Sequence, residues 1–481
     1  MPARTASSTH RPRTTDWRRY HRQVICAAGL LLGLSSTSSQ AVEVARMEGF
    51  GPVARGFAGA GVAHATGAAA MMLNPAELMS NPLGHEFMGQ NSEIHVNLDI
   101  HNRNTHESVR NSHLGDNRGP YDLPELAYSY RAEHWAFGTG IFAAAGFGSE
   151  FRDRSFLSRT STGNVDTGLP ASTRLIALKI PFALAWQPHP RLKVGAALDV
   201  VRLGANLANL FDIQQVRMLQ AQHRVSGGLS ALTALPNVAG VHMDFVQNSP
   251  VQSKLQAWGI GGRIGASWQL SENTILAAAY DAPTRVGDLK GNGQLTAVDL
   301  LGNQIPLQGR GRIRNFQLPE AAVIGISHRL SPSISVVVDL RRTLWKHMLD
   351  DVDFDFQAEG GLFDGQRLNV SLPLGFNHLT TISAGLAWAP NDTWTLRMGA
   401  SRALQELVKP DRFNPGFATI SGNHVVANAS YRWRDAHEFT AGATYAWADP
   451  VKNPGNNTGS IPAIQGDNAQ ITPALSYRRQ F

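Results

Sequence analysis

The chain has 481 residues, 43% of them apolar and 17% charged, and a formal net charge of +6. Mean hydropathy is slightly negative and no run of eighteen apolar residues occurs, which excludes an ordinary transmembrane helix. The basic balance does not indicate nucleic acid: residues 1–41 hold six arginines (4, 11, 13, 18, 19 and 22) against Asp16, and the remainder is nearly neutral.

In chain order, residues 1–41 read as a signal peptide. A basic stretch to Arg22 precedes an apolar run from Val24 to Leu34, and Ser39-Gln40-Ala41 supplies small residues for cleavage near Val42. The single cysteine, Cys26, falls inside that segment, so the mature chain offers no thiol chemistry, disulfide or cysteine metal site. Residues 42–85 do not alternate as strands do. Arg55-Gly-Phe-Ala-Gly-Ala-Gly-Val-Ala-His64 is small and glycine-rich, and Ala65–Leu73 suits a short helix stopped by Asn74-Pro75.

From residue 86 to 481 the chain falls into hairpins with period-2 alternation. Ile176, Leu178, Ile180, Phe182, Leu184 and Trp186 share one parity. After Pro188-His189-Pro190, Leu192, Val194, Ala196, Leu198 and Val200 do the same. The alternation predicts about fourteen strands, starting near 86, 121, 135, 172, 191, 256, 273, 315, 333, 376, 393, 422, 437 and 467. Short turns alternate with long loops at 204–255, 287–314, 348–375, 406–421 and 450–466. Tryptophans 186, 268, 388, 394, 433 and 447 gather at strand ends near the turns. The last strand ends on Phe481, with Tyr477, Leu475 and Ile471 on its apolar parity and Arg479 as an exception. Alternation, aromatic girdles and one rim of long loops predict an all-β, 14-stranded antiparallel transmembrane β-barrel, its N-terminal hatch (42–85) plugging the lumen. Closure is required because backbone polar groups cannot stay unpaired in hydrocarbon.

Ala54-Arg-Gly-Phe-Ala-Gly-Ala-Gly-Val-Ala63, then Asn74-Pro75-Ala76, resemble the hatch of the FadL-type outer-membrane transporters of long-chain fatty acids and other hydrophobic compounds. The resemblance continues at Pro124-Glu-Leu-Ala-Tyr128, at Asn391-Asp-Thr-Trp-Thr-Leu-Arg-Met-Gly399 and at Pro410-Asp-Arg-Phe413. It implies a Gram-negative outer-membrane location and passive transport, with fatty acids first and aromatic hydrocarbons second. It also implies capture among the outer loops, an inner pocket near the mature N-terminus, and lateral release at an inward kink of the third strand.

Three places match those roles. The strand beginning at Trp135 loses alternation over Phe142–Gly148, so Gly146, Phe147 and Gly148 are the kink candidates, with close packing on the hatch as the plainer reading. Leu207, Leu210, Phe211, Met218 and Leu219 lie at near-helical spacing in the 204–255 loop, as a capture groove or as that loop's own small core. Met47 and Phe50 are candidates for the inner pocket, although Val42-Glu-Val-Ala-Arg46 departs from an apolar N-terminal tip.

Other motifs carry less. Gly259-Ile-Gly-Gly-Arg-Ile-Gly265 lies within a strand, without the helix that a dinucleotide fingerprint needs. His101, His106 and His113 with Asp99 lack metal-ligand spacing. Asp351-Val-Asp-Phe-Asp355 fits a solvated strand extension better than a calcium loop, and Asn456-Asn-Thr458 is a chance glycosylation match. Arg263 and Arg397, on the lumen parity, suit a polar pore, pairing with hatch carboxylates, or a fatty-acid head group. An outer-membrane lipid-processing enzyme and an open porin are the rival classes. The expected partners are a hydrophobic small molecule and outer-membrane lipid with lipopolysaccharide, without nucleic acid, cofactor or metal, around a monomer.

Overall fold

The computed structural model describes residues 47, 49–111, 121–151, 155–249, 252–417, 422–456 and 461–481. The expected signal peptide, Val42–Arg46, His113 and Asn457-Thr458 lie outside the described residues.

Strands run as β1 Gly84–Asn102, β2 Ser108–Arg110, β3 Tyr121–Arg131, β4 Trp135–Phe151, β5 Ala171–His189, β6 Leu192–Asp212, β7 Val225–Ser226 and β8 Val238–Phe245. They continue as β9 Leu255–Ser271, β10 Thr274–Asp281, β11 Arg285–Val286, β12 Leu289–Asp299, β13 Gln304–Ile313, β14 Ala321–Ser331, β15 Ile334–Thr343, β16 Asp351–Ala358 and β17 Arg367–Pro373. The last are β18 Leu379–Trp388, β19 Trp394–Ala403, β20 Asn423–Trp433, β21 His437–Trp447, β22 Val451–Asn453 and β23 Ile464–Gln480.

All the pairings are antiparallel, and they close on themselves. The circuit runs β1, β3, β4, β5, β6, β9, β10, β14, β15, β18, β19, β20, β21 and β23, and β23 returns to β1 from Glu86↔Gln480 to Asn102↔Ile464. A closed sheet leaves no edge for lipid to meet.

The expected fourteen strands undercount the sheet, which holds 23 among the described residues. Segments read as long loops are themselves β-structure: β8, β12, β13, β16 and β17 stack strand on strand above the membrane. Their outward residues, such as Lys290, Asn292 and Arg310, are exposed and polar because they meet water, not lipid. The apolar parity therefore stands out less. β5 and β6, at 19 and 21 residues, are nearly twice the length a tilted membrane strand needs.

The lipid-facing band is explicit on β9. Trp258, Ile260, Ile264 and Trp268 all point outward, the first 60% exposed. Ten residues separate the two tryptophans, about 33 Å along the strand and roughly 25 Å along the membrane normal at a tilt near 40°, the height of a barrel's apolar belt.

The hatch lies inside the ring. A helix at Gly51–Gly56 and 3-10 turns at Gly67–Met72 and Pro75–Ser80 are almost wholly buried. The expected helix over Ala65–Leu73 is thus the tighter 3-10 form over its middle. Asn74 ends it and caps the next turn, its Oδ1 accepting from Ala76 N at 3.1 Å. Proline follows at the first position, where no amide hydrogen is missed.

Candidate functional site

The hatch carries many backbone N–H groups that must find acceptors away from water. The wall supplies them as carboxylates. Glu125 on β3 accepts from Gly51 N at 2.7 Å and pairs with Arg55. Asp339 on β15 accepts from Gly61 N and Val62 N at 2.8 and 2.9 Å, and Glu86 on β1 accepts from Ala68 N at 2.6 Å. Asn74, fully buried, donates to Val62 O at 2.8 Å and to Ser267 Oγ on β9 at 3.1 Å. Asn74-Pro75-Ala76 lies against the wall at Gly195 and Gly265, which face each other across β6 and β9. A Cβ at Gly195 would stand 2.5 Å from Ala76 N, so only glycine admits the hatch this closely.

A second set of charges occupies the lumen beside the hatch. Lys179 and Arg263 share Asp199 at 3.1 and 3.7 Å; Arg263 also pairs with Asp281, which takes Arg341 at 3.3 Å. Arg263 donates to Met71 O at 2.7 Å. Its partners are thus barrel carboxylates and a hatch carbonyl rather than hatch carboxylates. Arg397 donates to Ser430 Oγ at 2.6 Å.

Above the hatch lies a cavity of about 200 Å³. Leu207, Phe211, Met218 and Leu219 of the expected capture group line it. The helical spacing read into them is corrected: Leu207, Leu210 and Phe211 belong to β6, and the helix starts only at Ile213 and runs to Ala221. Strand parity sends Leu210 to the other face, beside Gly240, so it does not line the cavity. Met243, Leu289, Ile313, Phe316, Phe354 and Leu372 complete the apolar wall, and Arg174 and Arg412 stand at its margin. Sequence reading missed these. The available signal was the apolar parity of β16, where Phe354 and Phe356 alternate with the aspartates. A smaller apolar cavity of about 70 Å³ adjoins, sharing Phe211, Leu219, Met243, Phe354 and Leu372.

Of the inner-pocket pair, Phe50 borders a cavity of about 30 Å³ with Met72, Ala144, Leu318 and Trp345. Met47 does not; it is buried in the hatch core, and its N–H donates to Ala144 O at 3.3 Å. Such a space holds about one water molecule. Phe50 meets Phe142 edge-on at 5.8 Å.

Both contacts fall on the irregular part of β4. Its register with β5 shifts between Ala143 and Ala145, a bulge one residue before the glycine expected to mark it. Registered pairs between β3 and β4 run from Arg131↔Ala136 to Glu125↔Phe142 and stop there. Pro124, next along β3, has no amide hydrogen to continue the ladder. Gly148 lies under the Tyr121 ring, where a Cβ would come within 2.8 Å of the hydroxyl, and Phe147 reaches the outer cavity. Gly146, half-buried, pairs with Ile176.

A lipid-spanning barrel whose lumen is stoppered by a folded N-terminal segment beneath an apolar cavity is an outer-membrane transporter for hydrophobic compounds. The chain belongs to the outer membrane protein transport family (OMPP1/FadL/TodX), whose model matches residues 30–403. Among solved structures, the Pseudomonas putida toluene transporter TodX is 29% identical, covering 90% of this chain and 99% of that one, with a TM-score of 0.78. The Ralstonia pickettii toluene transporter TbuX is 32% identical over 90% and 99%, with a TM-score of 0.75. The CymD monoaromatic hydrocarbon channel is 30% identical over 90% and 98%, with a TM-score of 0.71. A Pseudomonas aeruginosa FadL homologue shares the fold at 15% identity. No curated protein matches the chain. The family and these relatives are transporters and channels, not enzymes.

Proposed function

We propose that this protein carries monoaromatic hydrocarbons across the outer membrane by passive diffusion, with capture in the outer-loop cavity and sideways release between β3 and β4. The observation that carries the reading is the continuity of one apolar cavity from Leu207, Met218 and Leu219 to Phe147, on the stretch of β4 beyond Phe142 where registered pairing with β3 has ended. Its volume of about 200 Å³ suits a single ring; an apolar protein cavity of about 150 Å³ takes up benzene. Each methyl or methylene removed from water contributes about 0.8 kcal/mol, so a small apolar cargo gains from the cavity and nothing from an aqueous pore. Relatives named as toluene transporters support the same ligand class.

Long-chain fatty acids are the second reading. Arg174 and Arg412 at the cavity margin favour it, since a guanidinium forms charge-assisted bonds with a carboxylate. Uptake of labelled toluene and labelled oleate, in an outer membrane lacking its own transporter, separates the two. The expected result is toluene uptake that falls when Leu207→Trp fills the cavity. Oleate uptake alone, lost on Arg412→Gln, establishes the second reading. Uptake of neither ligand, with the barrel folded in the membrane, refutes both.

A further inference from the structure

On the outer wall, away from the lumen, three cations surround one tryptophan. Arg202 is the register partner of Trp258 across β6 and β9, its guanidinium 5.8 Å from the indole centroid. Lys290 pairs with Gln256, two residues up β9, and Arg285 pairs with Ile260, two residues down. Residues i and i±2 of a strand share a face, and diagonal neighbours lie about 7–8 Å apart. All three cations therefore border the exposed ring, which marks the outer edge of the apolar belt.

Their charge balance sets them apart from the neighbouring arginines. Arg310 is paired with Glu359 at 3.0 Å, Arg312 with Asp288 at 2.8 Å, and Arg314 with Asp355 and Asp353 at 3.3 and 3.5 Å. Arg202 donates only to neutral Gln256. Among the described residues, neither it nor Arg285 nor Lys290 has a carboxylate partner. Lys290 also sits directly opposite Arg312 in the β12–β13 ladder, and the carboxylate nearest the two, Asp288, is bonded to Arg312.

A recess on the same face adds an independent observation. It is lined by Ile176, Leu178, Arg202, Gly204, Ser253 and Gln256, and the register sets Ile176 beside Gly204 and Leu178 beside Arg202. Polar and aliphatic groups side by side, at the level of an interfacial tryptophan, match an amphiphile lying against the barrel in the outer leaflet. We propose that Arg202, Arg285 and Lys290 bind the phosphorylated glucosamine headgroup of a lipid A molecule over Trp258, with one acyl chain laid along Ile176 and Leu178. This site is separate from the transport cavity and does not depend on which hydrophobic cargo is carried.

The test is native mass spectrometry of the detergent-purified full chain, titrated with bis-phosphorylated lipid A. The comparisons are dephosphorylated lipid A, inorganic phosphate, and the R202Q/R285Q/K290Q variant. Arg285 and Lys290 are exposed and Arg202 is half-buried, and the variant is expected to keep its fold, which heat-modifiable gel mobility checks. The wild type is expected to retain one bis-phosphorylated lipid A. The variant is expected to bind roughly 100-fold more weakly, about fivefold per near-surface cation. Dephosphorylated lipid A and inorganic phosphate are expected not to bind at the same concentrations. Equal occupancy of wild type and variant overturns the proposal. So does equal binding of the dephosphorylated lipid, and so does binding of phosphate alone.

Discussion

Asn74→Ala isolates the hold of the wall on the hatch. The side chain donates to Val62 O and accepts from Ala76 N, and no water reaches it. Truncation leaves that carbonyl and that amide buried without partners. Ser267 loses less, because its hydroxyl still bonds Glu77. An orphaned buried polar group costs about 1–3 kcal/mol, so the pair costs about 4 kcal/mol. The loss falls on local opening of the hatch and not on the ring, whose ladders do not include Asn74. Hydrogen exchange at Val62 and Ala76 is expected to rise roughly a thousandfold, while heat-modifiable mobility of the barrel stays unchanged. Asn74→Asp keeps the acceptor but lacks the donor, and places a second carboxylate near Glu77, so it is expected to fall short of wild type as well. Unchanged exchange at both amides in the alanine variant refutes this account of the motif.

Glu125→Gln removes the charge opposite Arg55, both buried. Breaking such a pair costs about 3–5 kcal/mol, so limited proteolysis should cut near Gly51–Gly56 in the variant and spare the wild type; equal resistance refutes the anchor. His242 on β8 donates to Pro170 O at 2.8 Å, and burial holds its pKa below the usual histidine value. Its contribution to stability is therefore complete above the unfolded value near 6.5 and is lost as pH falls through the lower folded value. Exchange in β8 and the segment around Pro170 should increase as the medium is acidified below about pH 6. A His242→Gln variant should lack that step, and an identical profile in both would assign the loosening to other groups.

The parts of this fold legible in the sequence are those with lipid on one side and lumen on the other. Phe182, Leu184 and Trp186 alternate with smaller or polar partners because hydrocarbon tolerates nothing else on their face. Above the membrane that constraint ends. Lys290, Asn292 and Gln294 face water from β12, glycines occupy much of its other parity, and the segment reads as a loop. The capture group was misread for a related reason: apolar residues at 207, 210, 211, 218 and 219 fit a helical spacing, but a strand ending at Asp212 sends Leu210 away from its neighbours. The hatch motif was visible through resemblance. Its acceptors were not, since Glu86, Glu125 and Asp339 are isolated carboxylates on lumen-facing positions and nothing local marks their distant amides.

Glu86 joins two structures that are usually considered apart. Besides accepting from Ala68 of the hatch, it meets Arg478 at 3.9 Å and Gln480 at 3.4 Å, both on the strand that completes the ring. Arg478 is in turn bound to Glu438 on β21 at 2.6 Å. The plug is therefore wired into the seam where the first and last strands meet. It also touches staves from β1 around to β20, where Asn428 donates to Pro52 O at 2.7 Å. One carboxylate thus serves the plug and the seam at once, so its loss would take an acceptor from the hatch and a counter-charge from the last strand together.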